Sequence, residues 1–319
     1  MEEFYPVGQI LPMTFFQGDE QTKSTIRVRI LKHYTQTCSC AMRVEILDHP
    51  QGPGQTAFLK LYDRRFATGL RGANGVEKWT KDIEQSFIEF AQDGPIQQFL
   101  QRMHLNPDDF LIDLMNSWTH AQGEAFLYQS HLRFFNEEKA AYARLKSCQG
   151  SMIPELFGSV ELSIALPDVD AQSHNINSRD VTEFFKVKGL LMQHINGCSL
   201  WEMGKYCPQE DWQDIVDEAI SVVDALGKYD MINSDVHPTN VMISLTSDST
   251  SQRRYGVYMI DFAYCEFRKE DQSDAEWEEA KRHQDEIGAV GMVMKNRLSE
   301  KFGFKLRFDR SEWLVECSS

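Results

Sequence analysis

The chain has 319 residues, of which 33 are basic and 48 are acidic, so its formal charge is −15. Hydrophobic residues make up 42% of the sequence, which is enough for a substantial buried core and excludes wholesale disorder. The negative charge argues against a nucleic-acid-binding surface because phosphates would be repelled. The length suits one large domain or two lobes.

The remaining composition favours a cytoplasmic protein. The seven cysteines are scattered without a C-x-x-C pair, and no H-E-x-x-H spacing occurs, so neither a zinc site nor a disulfide framework is predicted. No apolar run approaches the roughly 18 residues of a membrane span. The first residues lack the positive and apolar stretches of a secretory signal. The sequence says nothing about the oligomeric state.

The first half of the sequence predicts strands followed by helices, while residues 1–25 carry no clear period. Alternating apolar residues predict three strands that favour an antiparallel sheet: Ile26–His33, Met42–Leu47 and Thr56–Tyr62. Apolar residues at three- and four-residue spacing then predict an amphipathic helix whose stripe is interpreted as core packing: Val76, Trp79, Ile83, Phe87 and Phe90. Asn106-Pro107 predicts a second helix start, and a third helix is predicted over residues 132–147.

The second half of the sequence predicts short strands between helices. The strands are predicted at four places: 156–162, 184–194, 241–245 and 256–260. Residues 167–180 are interpreted as a polar surface loop, and residues 231–240 form a second polar segment. One amphipathic helix is predicted from Pro208 onward, and a last helix is predicted over residues 274–298.

Two carboxylates and an amide have a spacing that suits phosphoryl transfer. Asp235 precedes Asn240 by five residues, Asn240 opens an apolar strand, and the following strand ends at Asp261. Phosphoryl transfer from a nucleotide needs positioning and charge neutralisation more than covalent chemistry. One carboxylate must face the acceptor hydroxyl, while an amide and a second carboxylate hold Mg²⁺. A rigid loop followed by a hairpin would place the three side chains around one point; taken singly, they are ordinary turn and strand-start residues.

With these residues in this order, the sequence resembles the protein-kinase-like superfamily, whose catalytic loop reads H-R-D-x-x-x-x-N and whose metal motif reads D-F-G. The resemblance implies that Asp235 is the catalytic residue and that Asn240 and Asp261 bind the metal. It implies that Lys60 contacts the nucleotide phosphates and that Glu138 pairs with it, although an exposed strand lysine and a surface glutamate are the alternatives. The run E-x-x-A-Y-x-R-L from Glu138 is similar to a group of fungal kinase-like proteins.

The resemblance also assigns the adenine-reading hinge. This hinge is Leu190–His194, so Gln193 and His194 are predicted to bind the nucleotide through the backbone. The acidic stretch Glu266–Glu286 is interpreted as a solvated helix face, with Asp285 as an alternative brace for the catalytic loop.

Several positions depart from the kinase pattern. The turn Tyr34–Cys40, which would cover the phosphates, contains no glycine. Asn233 and Ser234 stand in place of the motif's His and Arg, and no A-P-E motif follows Asp261. His237 stands at the position of the loop lysine, as in small-molecule kinases of the aminoglycoside and choline type, and is interpreted as bracing the loop.

The resemblance therefore predicts an α+β, two-lobed protein-kinase-like fold. Residues 1–21 are an N-terminal extension, residues 22–193 are the N-lobe with a helical insertion at about 64–130, and residues 194–319 are a shortened, helical C-lobe. The predicted activity is ATP- and Mg²⁺-dependent transfer of the γ-phosphoryl group to a hydroxyl, with a small-molecule acceptor slightly favoured over a protein. The alternatives are a pseudokinase that binds nucleotide or protein without transfer and an atypical protein Ser/Thr kinase.

Overall fold

The structure is a computed structural model that describes residues 4–18, 22–34, 38–48, 54–105, 118–164, 178–245 and 255–309. The predicted helix start at Asn106-Pro107 and most of the predicted loop 167–180 lie outside the described residues. The chain is a mixed α/β structure with two units: Met1–Phe135 with Phe157–Met192, and Asn136–Leu156 with Gln193–Ser319. The predicted N-lobe, 22–193, includes residues 136–156, which belong to the second unit.

The first unit is built on an antiparallel sheet with a continuous core. Its strands are β1 Ile10–Gln17, β2 Thr22–His33, β3 Cys40–Ile46, β4 Gln55–Leu61, β5 Leu156–Ser163 and β6 Lys186–Gln193. Their order is β1-β2-β3-β4-β6-β5, and a short stretch of β5 also pairs with β1. Met42, Val44 and Ile46 alternate into the core as the predicted period requires. Strand β1 was missed because Pro12 and the adjacent aromatic residues interrupt its alternation.

Helices pack into a second core within the same unit. They are α1 Thr68–Ala73, α2 Lys81–Gln92, α3 Pro95–Leu105, α4 His120–Arg144, whose last residues belong to the second unit, and α5 Ser178–Glu183. Phe87 and Phe90 of the predicted stripe pack in this core with Phe99 and Phe185, which confirms the interpretation of these two stripe residues as packing. The predicted helix is shorter than expected because Thr80 caps it through the Ile83 N–H, at 3.2 Å. Trp79 therefore precedes the helix.

A buried ionic network also joins these helices. Glu124 on α4 is completely buried and contacts two guanidinium groups, those of Arg64 and Arg71. Arg64 also donates to both carboxylate oxygens of Glu84, at 2.7 and 2.8 Å. Each buried charge therefore has a partner, as a charge in a low-dielectric interior requires.

The second unit combines short strands with helices. The strands are β7 Gly197–Ser199, β8 Met231–Asn233, β9 Val241–Leu245, β10 Tyr255–Met259 and β11 Cys265–Phe267. The helices are α6 Met203–Tyr206, α7 Trp212–Gly227, α8 Asp274–Gln284 and α9 Glu286–Phe302. Strands β10, β9 and β7 form one sheet in that order, and β11 pairs with β8. In the part of the chain that the structure describes, no helix is long and apolar enough to cross a membrane.

The predicted last helix is two helices. Asp285 has φ +49°, a left-handed conformation that ends α8, and its side chain caps α9 by accepting from the Gly288 N–H at 3.3 Å. A capping aspartate tolerates this conformation better than most residues, because its short polar side chain bonds the nearby backbone. The periodicity was continuous across the break, so the sequence predicted one helix.

Candidate functional site

The loop between β8 and β9 carries Asp235 and Asn240 and holds them against each other. Pro238–Asn240 forms a 3₁₀ turn that leads directly into β9. The Asn240 Nδ2 donates to the backbone oxygen of Asp235 and to its Oδ2, both at 2.9 Å. This pair of bonds orients the exposed Asp235 carboxylate. Both bonds use the Asn240 Nδ2, so the Asn240 Oδ1 is the atom that could bind a metal ion.

Asn233, which departs from the kinase motif, links this loop to Asp261. Its side chain is 2% exposed. Its Nδ2 donates to the Asp261 backbone oxygen at 3.2 Å, and its Oδ1 accepts from the Asp235 N–H at 2.9 Å. One asparagine therefore satisfies the backbone of both carboxylate-bearing segments.

Asp261 has a strained backbone next to Asn240. Its φ is +64°, in the left-handed region that residues other than glycine seldom adopt. The preceding residue, Ile260, donates its N–H to the Asn240 oxygen at 2.8 Å. Strain of this kind costs about 1–3 kcal/mol and clusters at functional sites.

The structure thus brings together Asp235, Asn240 and Asp261, which the sequence analysis had singled out. Among the described residues, no group of three His, Cys, Asp or Glu side chains is placed to hold a metal ion. Mg²⁺ nevertheless suits the donor set here, because it commonly takes one or two protein carboxylates and completes its coordination with phosphates and water. Asp261 and the Asn240 amide oxygen would be its protein ligands.

A charged pair supports the start of the loop from α8 and α9. The Glu286 Oε1 accepts from the Asn233 backbone N–H at 2.9 Å, and its Oε2 lies 2.8 Å from the Lys281 Nζ. Lys281 also donates to the Met231 oxygen at 2.9 Å. Glu286 is 10% exposed, so the interpretation of the whole acidic stretch as solvated was wrong at this residue. No local signal distinguishes Glu286 from the acidic residues around it.

Buried aromatic packing and carboxylates surround Asp261 on the protein side. The rings of Phe262 and Tyr142 meet edge to face with centroids 5.6 Å apart. Burial raises the pKa of the Tyr142 hydroxyl well above its usual value, and the nearby carboxylates of Glu138 and Asp261 raise it further. Burial and the same two carboxylates also raise the pKa of the Cys265 thiol. Glu138 is 1% exposed, so it is not a surface glutamate.

His237 braces the loop, as the sequence analysis interpreted it. Its Nδ1 accepts from the Thr239 N–H at 3.3 Å and lies 2.9 Å from the Thr239 Oγ1. Because a backbone N–H can only donate, this hydrogen bond requires Nδ1 to be the acceptor, which is the case in the tautomer that carries its ring proton on Nε2.

The other predicted nucleotide-binding residues are divided between the two units. Lys60 on β4 is 6% exposed, so it is not an exposed strand lysine, and its Nζ lies 5.5 Å from the Tyr62 ring centroid within the first unit. Glu138 belongs to the second unit, and its pairing with Lys60 stays a prediction. Gln193 exchanges bonds with Glu155, through its own N–H at 2.8 Å and its Oε1 at 3.1 Å. The nucleotide-binding roles of Gln193 and His194 stay predictions.

The turn predicted to cover the phosphates is tied to α4. Its residues 35–37 lie outside the described part of the chain. The His131 Nε2 lies 2.9 Å from the Cys38 oxygen, and its Nδ1 lies 2.7 Å from the Leu127 oxygen. Burial lowers the pKa of His131, while these two carbonyl contacts and Asp63 act in the opposite direction. A histidine therefore fixes one side of a turn that contains no glycine.

Comparisons with known proteins give structural neighbours only. No protein-family model and no curated protein matches this chain. The structure is similar to a Rio2 kinase from Chaetomium thermophilum that was solved as an ADP/Mg²⁺-phosphoaspartate complex. The sequence identity is 14%, the match covers 87% of this chain and 57% of that chain, and the TM-score is 0.42. It is also similar to the Mycobacterium tuberculosis PknI kinase domain. Here the sequence identity is 13%, the match covers 74% of this chain and 60% of that chain, and the TM-score is 0.33. Both neighbours are protein kinases. Because both TM-scores are below 0.5, these similarities do not assign an activity to this chain, and any assignment must come from the residues of its own site.

Proposed function

We propose that this protein is a phosphotransferase that uses ATP and Mg²⁺ and transfers the γ-phosphoryl group to a hydroxyl. The observation that carries the proposal is the bonding of Asn240 and Asn233, which ties the Asp235 carboxylate to the segment of Asp261. Two carboxylates and an amide oxygen on adjacent rigid segments are what nucleotide-dependent phosphoryl transfer requires.

Each side chain has a distinct role in this proposal. Asp235 orients the acceptor hydroxyl and accepts its proton. Asp261 and Asn240 hold Mg²⁺, which neutralises charge on the phosphates when bound. Lys60, supported by Glu138, grips the nucleotide, and the hinge at Gln193 and His194 reads the adenine. Removal of one such charge is expected to lower kcat by about 10²–10³-fold.

The acceptor in this proposal is a small molecule bearing a hydroxyl. His237 supports this choice, because the loop lysine of protein kinases is replaced by a side chain that is engaged with Thr239. A phosphorylated protein substrate is the outcome that would favour the atypical protein-kinase alternative.

A pseudokinase is the second candidate function. The glycine-free turn at 34–40 favours it, because a glycine-rich turn lets the backbone approach nucleotide phosphates closely. In that case, the protein would bind nucleotide or a protein partner without phosphoryl transfer.

Thermal unfolding with ATP, with and without Mg²⁺, separates these functions when it is followed by an ATP-turnover assay. Ligand at a hundredfold its dissociation constant stabilises the folded state by about 2.7 kcal/mol, which raises the midpoint by several degrees. The test variant is Asp261→Asn, because asparagine tolerates a left-handed backbone and removes only the charge. The matched control is Asp271→Asn, an exposed aspartate of the same unit.

Three results are informative. A Mg²⁺-dependent rise and turnover that Asp261→Asn abolishes and Asp271→Asn retains would support the phosphotransferase. A rise without turnover would support the pseudokinase. Full turnover in Asp261→Asn would refute the assigned site.

A further inference from the structure

The indole of Trp201 lies against the candidate loop and is itself held by α9. Trp201 is in a 3₁₀ turn, Leu200–Glu202, between β7 and α6. Its ring centroid is 5.4 Å from that of His237, with the planes inclined by 40°. The Arg297 guanidinium carbon lies 3.5 Å from the indole centroid, and the Arg297 Nε donates to the Trp201 oxygen at 2.9 Å. Trp201 therefore connects helix α9 to the His237 imidazole.

His237 in turn caps the 3₁₀ turn that presents Asn240. Its Nδ1 accepts from the Thr239 N–H, and its backbone oxygen accepts from the Asn240 N–H at 2.8 Å. Ser, Thr, Asp and Asn are the usual residues at such a position, because their side-chain oxygens accept readily. Histidine can replace them only if Nδ1 carries no proton and the ring is held in the orientation that points Nδ1 at the Thr239 N–H. The terminal torsion of histidine is broad, so a packed ring is needed to fix that orientation.

We propose that Trp201 is a positioning residue of the candidate site, acting through His237 on the Pro238–Asn240 turn. The inference rests on the proposed function, since the group it positions is the Asn240 amide that would bind Mg²⁺. Without the indole, the imidazole rotates, the Thr239 N–H loses its acceptor, and the Asn240 amide loses its fixed relation to Asp235. Arg297 contributes by holding the indole through a cation–π contact and a hydrogen bond.

A double-mutant cycle with His237→Asn tests this order of action in the full-length chain. The variants are Trp201→Leu, His237→Asn and the combination, and the probe is ADP with Mg²⁺ or with EDTA, measured by calorimetry. Trp201→Leu is expected to weaken Mg²⁺–ADP binding about fivefold, the size expected for loss of a cap, and to leave metal-free ADP binding unchanged. In the His237→Asn background, the same substitution is expected to change binding less than twofold, because asparagine caps without a supporting ring.

The matched control is Tyr206→Leu, which removes an exposed aromatic ring from the same segment and is expected to leave both affinities unchanged. If Trp201→Leu does not fold, Arg297→Met takes its place in the same double-mutant cycle, because it loosens the indole without removing it. An equal loss of affinity in both His237 backgrounds would show that Trp201 acts independently of His237 and would overturn the inference.

A second readout does not depend on nucleotide. Nitrogen-15 NMR of the histidine side chains is expected to show His237 as a single tautomer protonated on Nε2 in the wild type, and as a mixture in Trp201→Leu. An unchanged tautomer would overturn the coupling between Trp201 and His237 even if the protein binds nucleotide. A wild type that shows this coupling but binds no Mg²⁺–ADP would overturn the proposed function, and with it the role of Trp201 at the site.

Discussion

Replacement of Asn233 by alanine removes two bonds that hold different segments of the candidate site. The Asp261 oxygen loses its bond from Nδ2, and the Asp235 N–H loses its bond to Oδ1. Asp235 is exposed, so its N–H can donate to water instead at small cost. The Asp261 carbonyl is only partly accessible, and an orphaned polar group of this kind costs about 1–3 kcal/mol. The expected loss in the free energy of unfolding is therefore about 1–3 kcal/mol.

Asn233→Asp separates the two bonds, because it keeps the acceptor for Asp235 and loses the donor to Asp261. It also sets a carboxylate oxygen against the Asp261 carbonyl, so it is expected to be at least as destabilising as Asn233→Ala.

Both Asn233 variants are measured by urea unfolding and by Mg²⁺–ADP calorimetry. Binding of Mg²⁺–ADP is expected to weaken at least tenfold, because a loss of only about 1.4 kcal/mol in binding free energy raises the Kd tenfold. The matched control is Asn74→Ala, whose amide also donates to a backbone oxygen, that of Leu70 at 2.8 Å, but in the first unit. Asn233→Ala with stability and Mg²⁺–ADP affinity equal to those of Asn74→Ala would refute the reasoning.

Two further predictions concern the first unit. Glu124→Gln is expected to lower the free energy of unfolding by about 3–5 kcal/mol, because it leaves the buried Arg71 guanidinium without its carboxylate partner and leaves Arg64 paired with Glu84 alone. The control is Asp48→Asn, at the exposed Arg27 pair, which should change nothing measurable in urea unfolding. The pKa of His131 is lowered on folding, so the unfolded state binds the extra proton and stability is lost as the pH falls below about 6.5. Urea unfolding at pH 7 and pH 5 measures the free energy of unfolding that is lost on acidification. This loss is expected to be smaller for His131→Gln than for the wild type, by at most about 1.4 kcal/mol per pH unit. Equal losses would contradict this prediction.

Local periodicity was enough to predict much of the secondary structure. Strands β2, β3 and β4 lie where alternating apolar residues predicted them, because one face of each is buried. The spacing of Asp235 and Asn240 places them in one loop, where they are hydrogen-bonded, and Ile260, the residue before Asp261, bonds the Asn240 oxygen. Their chemical roles, and those of Lys60, Glu138, Gln193 and His194, stay predictions.

Local periodicity failed where two residues far apart in sequence decide the structure. Asn233 was seen only as a missing histidine, although its amide serves both carboxylate segments as donor and acceptor at once. Glu286 is one acidic residue among many in the sequence. What distinguishes it is that its carboxylate accepts a hydrogen bond from the Asn233 N–H, 53 residues earlier.

The sequence by itself thus determined strands β2, β3 and β4 of the first sheet, the amphipathic helices and the carboxylate–amide loop. Each of these depends on residues a few positions apart, whose side chains must share a face or a turn. Only the tertiary structure decided the break at Asp285, the buried network around Glu124 and the chain of contacts from Arg297 through Trp201 to His237. Burial sets the energy of those contacts, and burial follows from the packing of distant segments.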